Sequence, residues 1–269
     1  MYLQIDRGEY ASAEHNSFAV SVSNRAKTML TRMRSFALFL AGGLFSLGAF
    51  PATAQSASFI VSQHGQPVGT ASFRFTAAPG GYESTSLVRV AMQGLDYSLS
   101  KTEQLSSANR LRHVQLSGTV NGSAVTVNGT RDSAQYLLNI SANGRASTTR
   151  LPMHAAAVFL PDFDPGALET LLALGVSQNN RDVWAIVPKQ AGSIEPVTLA
   201  TYADEQGMLD GKPIAVHHLV ATIAGSNTDL FSGPQNQLLQ AELAQQGFAL
   251  VRKGFVLTPP RRPLAPPSE

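Results

Sequence analysis

The chain contains no cysteine. Disulfide staples, thiol chemistry and thiolate-bound zinc are therefore excluded, and the fold must be held by its apolar core. Aromatic residues make up 7% and charged residues 14% of the sequence. No apolar run reaches the roughly 20 residues that a spanning helix needs. No block of Lys and Arg is present either. Of Lys+Arg 20 and Asp+Glu 18, five bases (Arg7, Arg25, Lys27, Arg32, Arg34) and three acids (Asp6, Glu9, Glu14) precede Gln55, and from Gln55 onward bases and acids balance. A neutral chain lacks the positive footprint that dominates affinity for a phosphate backbone, so nucleic acid is not an expected partner. Gly-x-Ser-x-Gly, P-loop and Gly-x-Gly-x-x-Gly patterns are also missing, and no cofactor is expected.

What is present begins with the stretch Met29 to Gln55. Arg32 and Arg34 precede an uncharged run from Ser35 to Phe50, and Ala52-Thr53-Ala54 comes after it. Basic, then apolar, then small-x-small is the order of a secretory signal peptide, here residues 29–54 with cleavage after Ala54. Gly42, Gly43 and Gly48 weaken the run as a permanent anchor, and a lipoprotein would need a cysteine at the cut. Residues 1–28 read as an extension from a mis-assigned start, with Met29 or Met33 the true first residue. The expected protein is periplasmic or secreted, and not integral to a membrane once cleaved.

From Ser58 onward short strands succeed one another. Val68 to Phe75 alternates, with Ala71, Phe73 and Phe75 on one face and Thr70, Ser72 and Arg74 on the other, the mark of a half-buried strand. Further strands are predicted over Tyr82 to Met92, Tyr97 to Gln104, Arg110 to Val120, Val183 to Val187, Pro196 to Tyr202, Ile214 to Ala224, Leu238 to Leu243 and Phe248 to Phe255. Asn121-Gly122 and Asn143-Gly144 supply the two positive-φ residues of a type I′ hairpin turn, while Asn128-Gly129 is expected to end a strand. Asn121-Gly122-Ser123 and Asn128-Gly129-Thr130 also match the glycosylation pattern, but turn chemistry accounts for both. One helix is predicted, Pro165 to Leu174, with Asp164 as its N-cap, Pro165 at the first helical position and Gly175 as the C′ residue. Residues 258–269, rich in proline, are expected to form a disordered tail. The expectation is a single mainly β domain over residues 55–257, an antiparallel sheet with one inserted helix that it can curve around to bury one face.

Few residues invite a chemical role. Asp162 and Asp164 sit two apart, but as a calcium loop they fail because Ala173 stands where a bidentate Glu is required; capping explains Asp164 and a rim position Asp162. His217 and His218 are strand neighbours that point to opposite faces and do not readily close on one metal ion, and His64, His113 and His154 show no ligand spacing. A Ser-His-Asp triad is assembled in space and leaves no trace in spacing. The apolar face remains: Phe73, Phe75, Tyr97, Trp184, Tyr202 and Phe248 either line a pocket for a greasy ligand or form core.

The opening Val61-Ser62-Gln63-His64-Gly65-Gln66-Pro67-Val68-Gly69 hairpin, with Gly211-Lys212-Pro213-Ile214 and the Gln237-Leu238-Leu239 through Gly247-Phe248-Ala249-Leu250-Val251-Arg252 segments, resembles exported bacterial proteins of unknown function. Their layout is similar to the lipoprotein-carrier (LolA-like) half-barrels. The resemblance implies a curved antiparallel half-barrel that binds an acyl chain or another apolar ligand; nothing catalytic carries over. The first expectation is thus a non-catalytic binding or carrier protein for an apolar or amphiphilic ligand such as a lipid. Its alternatives are a structural or interaction protein with an envelope protein as partner, and a secreted hydrolase with a spatially assembled triad. An outer-membrane barrel is the architectural rival, but aromatic girdles are lacking.

Overall fold

The computed structural model describes residues 55–189 and 191–259; the predicted signal peptide, residues 1–28 and residues 260–269 of the tail lie outside them. The chain is mainly β. A meander of eight strands opens it: β1 (Gln55–Gln63), β2 (Gln66–Ala78), β3 (Gly81–Met92), β4 (Leu95–Ser106), β5 (Leu111–Val120), β6 (Ser123–Asp132), β7 (Gln135–Ala142) and β8 (Arg145–Pro152). Each pairs antiparallel with the next. Local turn chemistry explains the regularity. Asn121 and Asn143 take φ of 48° and 54°, and Gly122 and Gly144 take 76° and 70°, the two left-handed residues that a type I′ turn demands. Asn128-Gly129 lies inside β6 instead of ending it, because Val114 and Leu138 pack so tightly on Gly129 that a Cβ there would come within 2.6 Å of Val114 Cγ1.

The meander then gives way to a crossover. β9 (Ala156–Phe159) runs into helix α1 (Pro165–Ser177), which returns the chain to β10 (Val183–Val187). β9 and β10 pair in parallel, with Val183 opposite Ala156, the one parallel ladder among the described residues. Parallel neighbours need a long crossover, and the helix supplies it. From β10 the ladder continues through β11 (Ser193–Thr201), β13 (Lys212–Ile223), β14 (Ser226–Ser232), β15 (Leu238–Leu243) and β16 (Phe248–Arg252), and β16 pairs with β1. The result is one open, curved, mixed sheet. Register shifts at Val61/Ser62, Gln104/Leu105 and Phe231/Ser232 are bulges of the kind that bend strands.

β13 serves two sheets. Its first residues pair with β12 (Glu205–Leu209), which also pairs with β17 (Phe255–Thr258). This small layer has its own core of Val216, Phe231, Leu239, Phe255 and Leu257. Phe231 and Leu239 belong to main-sheet strands whose neighbours Leu230 and Leu238 face the main core, so the layer covers the other side of β14 and β15. The predicted strand Phe248 to Phe255 is accordingly two strands, broken at Lys253-Gly254, where Gly254 takes φ 83°.

The sheet curves around α1. Leu168, Leu171, Leu172 and Leu174 are buried in the same core as Phe59, Phe73, Val88 and Leu250. Asp164 caps the helix as expected, its Oδ1 accepting from Gly166 N at 2.9 Å and Ala167 N at 3.1 Å. The end differs from expectation, since the helix continues through Gly175 to Ser177. Gly175 answers a packing need: a Cβ there would lie 2.7 Å from Leu199 Cδ1 on β11.

Candidate functional site

Registered pairs place the inward residues of the meander in rows. One row runs Phe73, Ser86, Lys101, Leu116, Val127, Ile140, and the next Phe75, Ser84, Glu103, Val114, Gly129, Leu138. Four positions on β3 and β4, namely Ser84, Ser86, Lys101 and Glu103, thus form a polar block in an apolar face. All four are buried. The start of α1 lands on this block. Lys101 Nζ lies 2.8 Å from Glu103 Oε2 and 2.8 Å from Asp164 Oδ2, while a Cβ on Gly166 would meet Ser86 Oγ at 2.6 Å. Asp164 therefore uses one oxygen to cap the helix and the other to tie its first turn to β4.

The charges of this group are set by burial and by one another. Burial alone would drive the Lys101 ammonium to lose its proton, but Asp164 and Glu103 outweigh it and hold the pKa above that of a free lysine. Burial pushes the Glu103 carboxyl up, against the pull of Lys101, and the negative charge of Asp164 adds to the rise. One buried ammonium thus serves two carboxyl groups. Bare burial of a second carboxylate would otherwise cost several kcal/mol.

Beyond this block, α1 leaves the concave face uncovered toward the β5–β6 and β7–β8 turns. The space there is a cavity of about 620 Å³, within the range of small-molecule sites. Leu99, Leu116, Val125, Val127 and Ile140 line it, with Tyr97 on one side. Its cover consists of the segment between β9 and α1 and the loop between β10 and β11. Lys189 and Asp162 join these two across 2.9 Å as a largely solvent-exposed ion pair. The Tyr97 hydroxyl donates to the Asp162 carbonyl at 3.2 Å; burial first, then the charges of Asp162 and Asp164, push its pKa up, so it remains a donor. Phe163, at φ 58°, packs edge-on to Tyr97 at 5.8 Å and against Phe248 at 4.7 Å. A left-handed aromatic residue is a strained element, held here by what surrounds it.

The opposite end of the concave face is different in kind. There Glu169 of α1 accepts from Leu238 N at 2.6 Å and from the Gln55 side-chain amide. Burial pushes its pKa up to about 7, against those two bonds and the nearby Arg252. Glu169 thus links the helix to the starts of β1 and β15.

No protein-family model, curated protein or solved structure matches this chain. The site must be read from its own chemistry.

The six aromatic residues singled out in the sequence are not one constellation. Tyr97 lines the apolar cavity, whereas Phe248 is not on its lining and packs on Phe163, which in turn meets Tyr97. Phe73 is buried against Phe59 and Phe75. Trp184 is half-buried and stacks on His154 at 3.6 Å, and Tyr202 is 54% exposed beside His218. Sequence reasoning does not single out Lys101 and Glu103, although Tyr97, Leu99, Lys101, Glu103 and Leu105 alternate in plain sight. Lys189 gives no signal, being a loop residue. Among the described residues no group of three His, Asp or Glu is placed to hold a metal ion, and no helix is long and apolar enough to cross a membrane.

The buried charges have two measurable consequences for stability. Lys101→Met leaves two buried carboxyl groups without their shared cation and should cost about 3–5 kcal/mol, whereas Glu103→Gln keeps an acceptor for Lys101 and should cost about 1 kcal/mol; urea unfolding separates the two, and equal losses would contradict the reading of Lys101 as the partner that both acids share. Glu169 holds its proton in the fold at pH values where the unfolded chain, with a pKa near 4.3, has lost it. Stability should therefore fall as pH rises from about 4 to about 7, by on the order of 2–4 kcal/mol from this group. Glu169→Gln should remove that part of the slope, and parallel curves for the two proteins would refute it.

Proposed function

We propose that the protein is a non-catalytic binding or carrier protein that works outside the cytoplasm, its leader removed, and holds an apolar or amphiphilic ligand in the concave face of its sheet. The observation that carries this reading is the cavity of about 620 Å³ whose walls are Leu99, Leu116, Val125, Val127 and Ile140. Filling it with an acyl chain withdraws apolar surface on both partners from water, at roughly 25 cal/mol per Å² before the costs of association. The exposed pair Lys189 and Asp162 at the cover gives a polar head somewhere to lie. The signal-peptide pattern of residues 29–54 and the sequence resemblance to lipoprotein-carrier half-barrels are in keeping with this reading.

A hydrolase is less well supported. His218, the most buried of the acid-paired histidines, has Nε2 2.8 Å from Asp229 Oδ1 and Nδ1 3.5 Å from Glu205 Oε1, so that acids, and not a serine, stand nearest both its nitrogens.

Displacement of a fluorescent fatty-acid analogue by dodecanoate tests the proposal. The natural chain should bind the analogue and release it to dodecanoate. Val125→Trp, which fills the cavity from a half-buried position, should weaken binding at least about tenfold, or about 1.4 kcal/mol, with little change in unfolding temperature. Binding that survives Val125→Trp, or no binding by the natural chain, would overturn it.

A further inference from the structure

The end of the concave face that holds Glu169 carries a second cavity, of about 680 Å³, whose lining is more polar than that of the first. One face of α1 forms its floor through Glu169, Ala173 and Val176. The β2–β3 hairpin end, the β4–β5 turn and the loop between β14 and β15 form its walls, and Gln55 and Arg252 lie at one side. Five carboxamide side chains line it: Gln55, Asn109, Gln235, Asn236 and Gln237. Among the described residues Gln55 is committed to Glu169 and Gln237 accepts from Gln235 N at 2.9 Å, whereas the amides of Asn109, Gln235 and Asn236 have no protein partner. Asn109 and Asn236 sit at φ 55° and 58° on turns whose backbones are closed by Asn109 N to Ser106 O at 2.9 Å and Asn236 N to Gly233 O at 2.8 Å. Their side chains are thus presented from fixed supports.

We infer that this cleft is a binding site for a neutral, hydroxyl-rich ligand, a saccharide of about two rings. Each carboxamide offers a donor and an acceptor on one plane, and each sugar hydroxyl is also both, so amides and hydroxyls can satisfy one another in either sense. The Tyr82 ring, 37% exposed at the rim, offers a flat apolar face to the C–H side of a pyranose while its hydroxyl stays wet. The lining offers little to an ionic ligand: its ionisable groups are Arg252 and Glu169, and both Glu169 oxygens are already engaged. An acyl chain would strip water from these amides and return no hydrogen bonds, a loss of about 1–3 kcal/mol for each group left unpaired. The two ends of the face thus sort ligands, apolar at one and polyhydroxylated at the other. This inference is independent of the proposed carrier role.

The test is a titration of the full chain, as it accumulates in the producing cell, with cellobiose and with chitobiose, using alanyl-alanine and dodecanoate as controls. Calorimetry should report binding of at least one disaccharide and none of the dipeptide, with amide NMR shifts at Tyr82, Asn236 and Gln237 but not at Asn121 or Val125. Tyr82→Ala and Asn236→Gly, the latter keeping the left-handed turn, should each weaken that binding about tenfold with an unchanged circular dichroism spectrum. Absence of disaccharide binding, preference for the dipeptide, shifts confined to the apolar cavity, or binding that survives both substitutions would each overturn the assignment.

Discussion

The described part of the molecule is organised by the need to bury the inner face of a broad open sheet with its one α-helix. A curved sheet generates far more concave surface than 13 residues of helix can cover. The helix therefore takes the middle of the face, and both ends stay open as cavities. Bulges set the curvature, the parallel crossover from β9 to β10 sets where the helix enters, and the buried contact of Asp164 with Lys101 sets how far along β4 its first turn comes to rest.

That last contact explains an otherwise costly arrangement. Two serines, a lysine and a glutamate face inward on β3 and β4, where apolar residues of similar size would cost less. Their effect is positional. An apolar face lets a leucine-rich helix slide, whereas a single ammonium meets the N-cap carboxylate in one place only. With Asp164 fixed there, Phe163 is forced into its left-handed conformation beside Tyr97, and the preceding Pro161-Asp162 is carried over the apolar cavity. The helix anchor and the cavity cover are one continuous stretch of chain.

Much of this is legible in the sequence, and for local reasons. Asn121-Gly122 and Asn143-Gly144 announce their turns because few other residue pairs take two positive φ angles, and Asp164-Pro165 announces a helix start because capping chemistry lies within three residues. Leu238–Leu243 reads as a strand from its own flanks. What escapes detection depends on residues far apart in sequence. Gly175 reads as a stop signal because its true neighbour, Leu199, comes from another strand. The division of β13 between two sheets depends on β11 and β12 pairing with different parts of it, and on β17, farther along the chain, pairing with β12. Lys101 and Glu103 lie in register with inward residues, but nothing nearby in sequence indicates the carboxylate that neutralises them. Of the six candidate aromatic residues only Tyr97 lies on the apolar cavity, since a large ring on an alternating strand fits core and pocket equally well; the walls are mostly Leu, Val and Ile.

The most direct measurement of the central claim, that the uncovered part of the face is kept open for an amphiphile, is native mass spectrometry of the protein purified without detergent from the cells that make it. The account predicts a population heavier than the polypeptide by the mass of one amphiphile, which organic extraction releases and which the cavity-filled protein lacks. A polypeptide found only at its bare mass, in natural and cavity-filled forms alike, would contradict it.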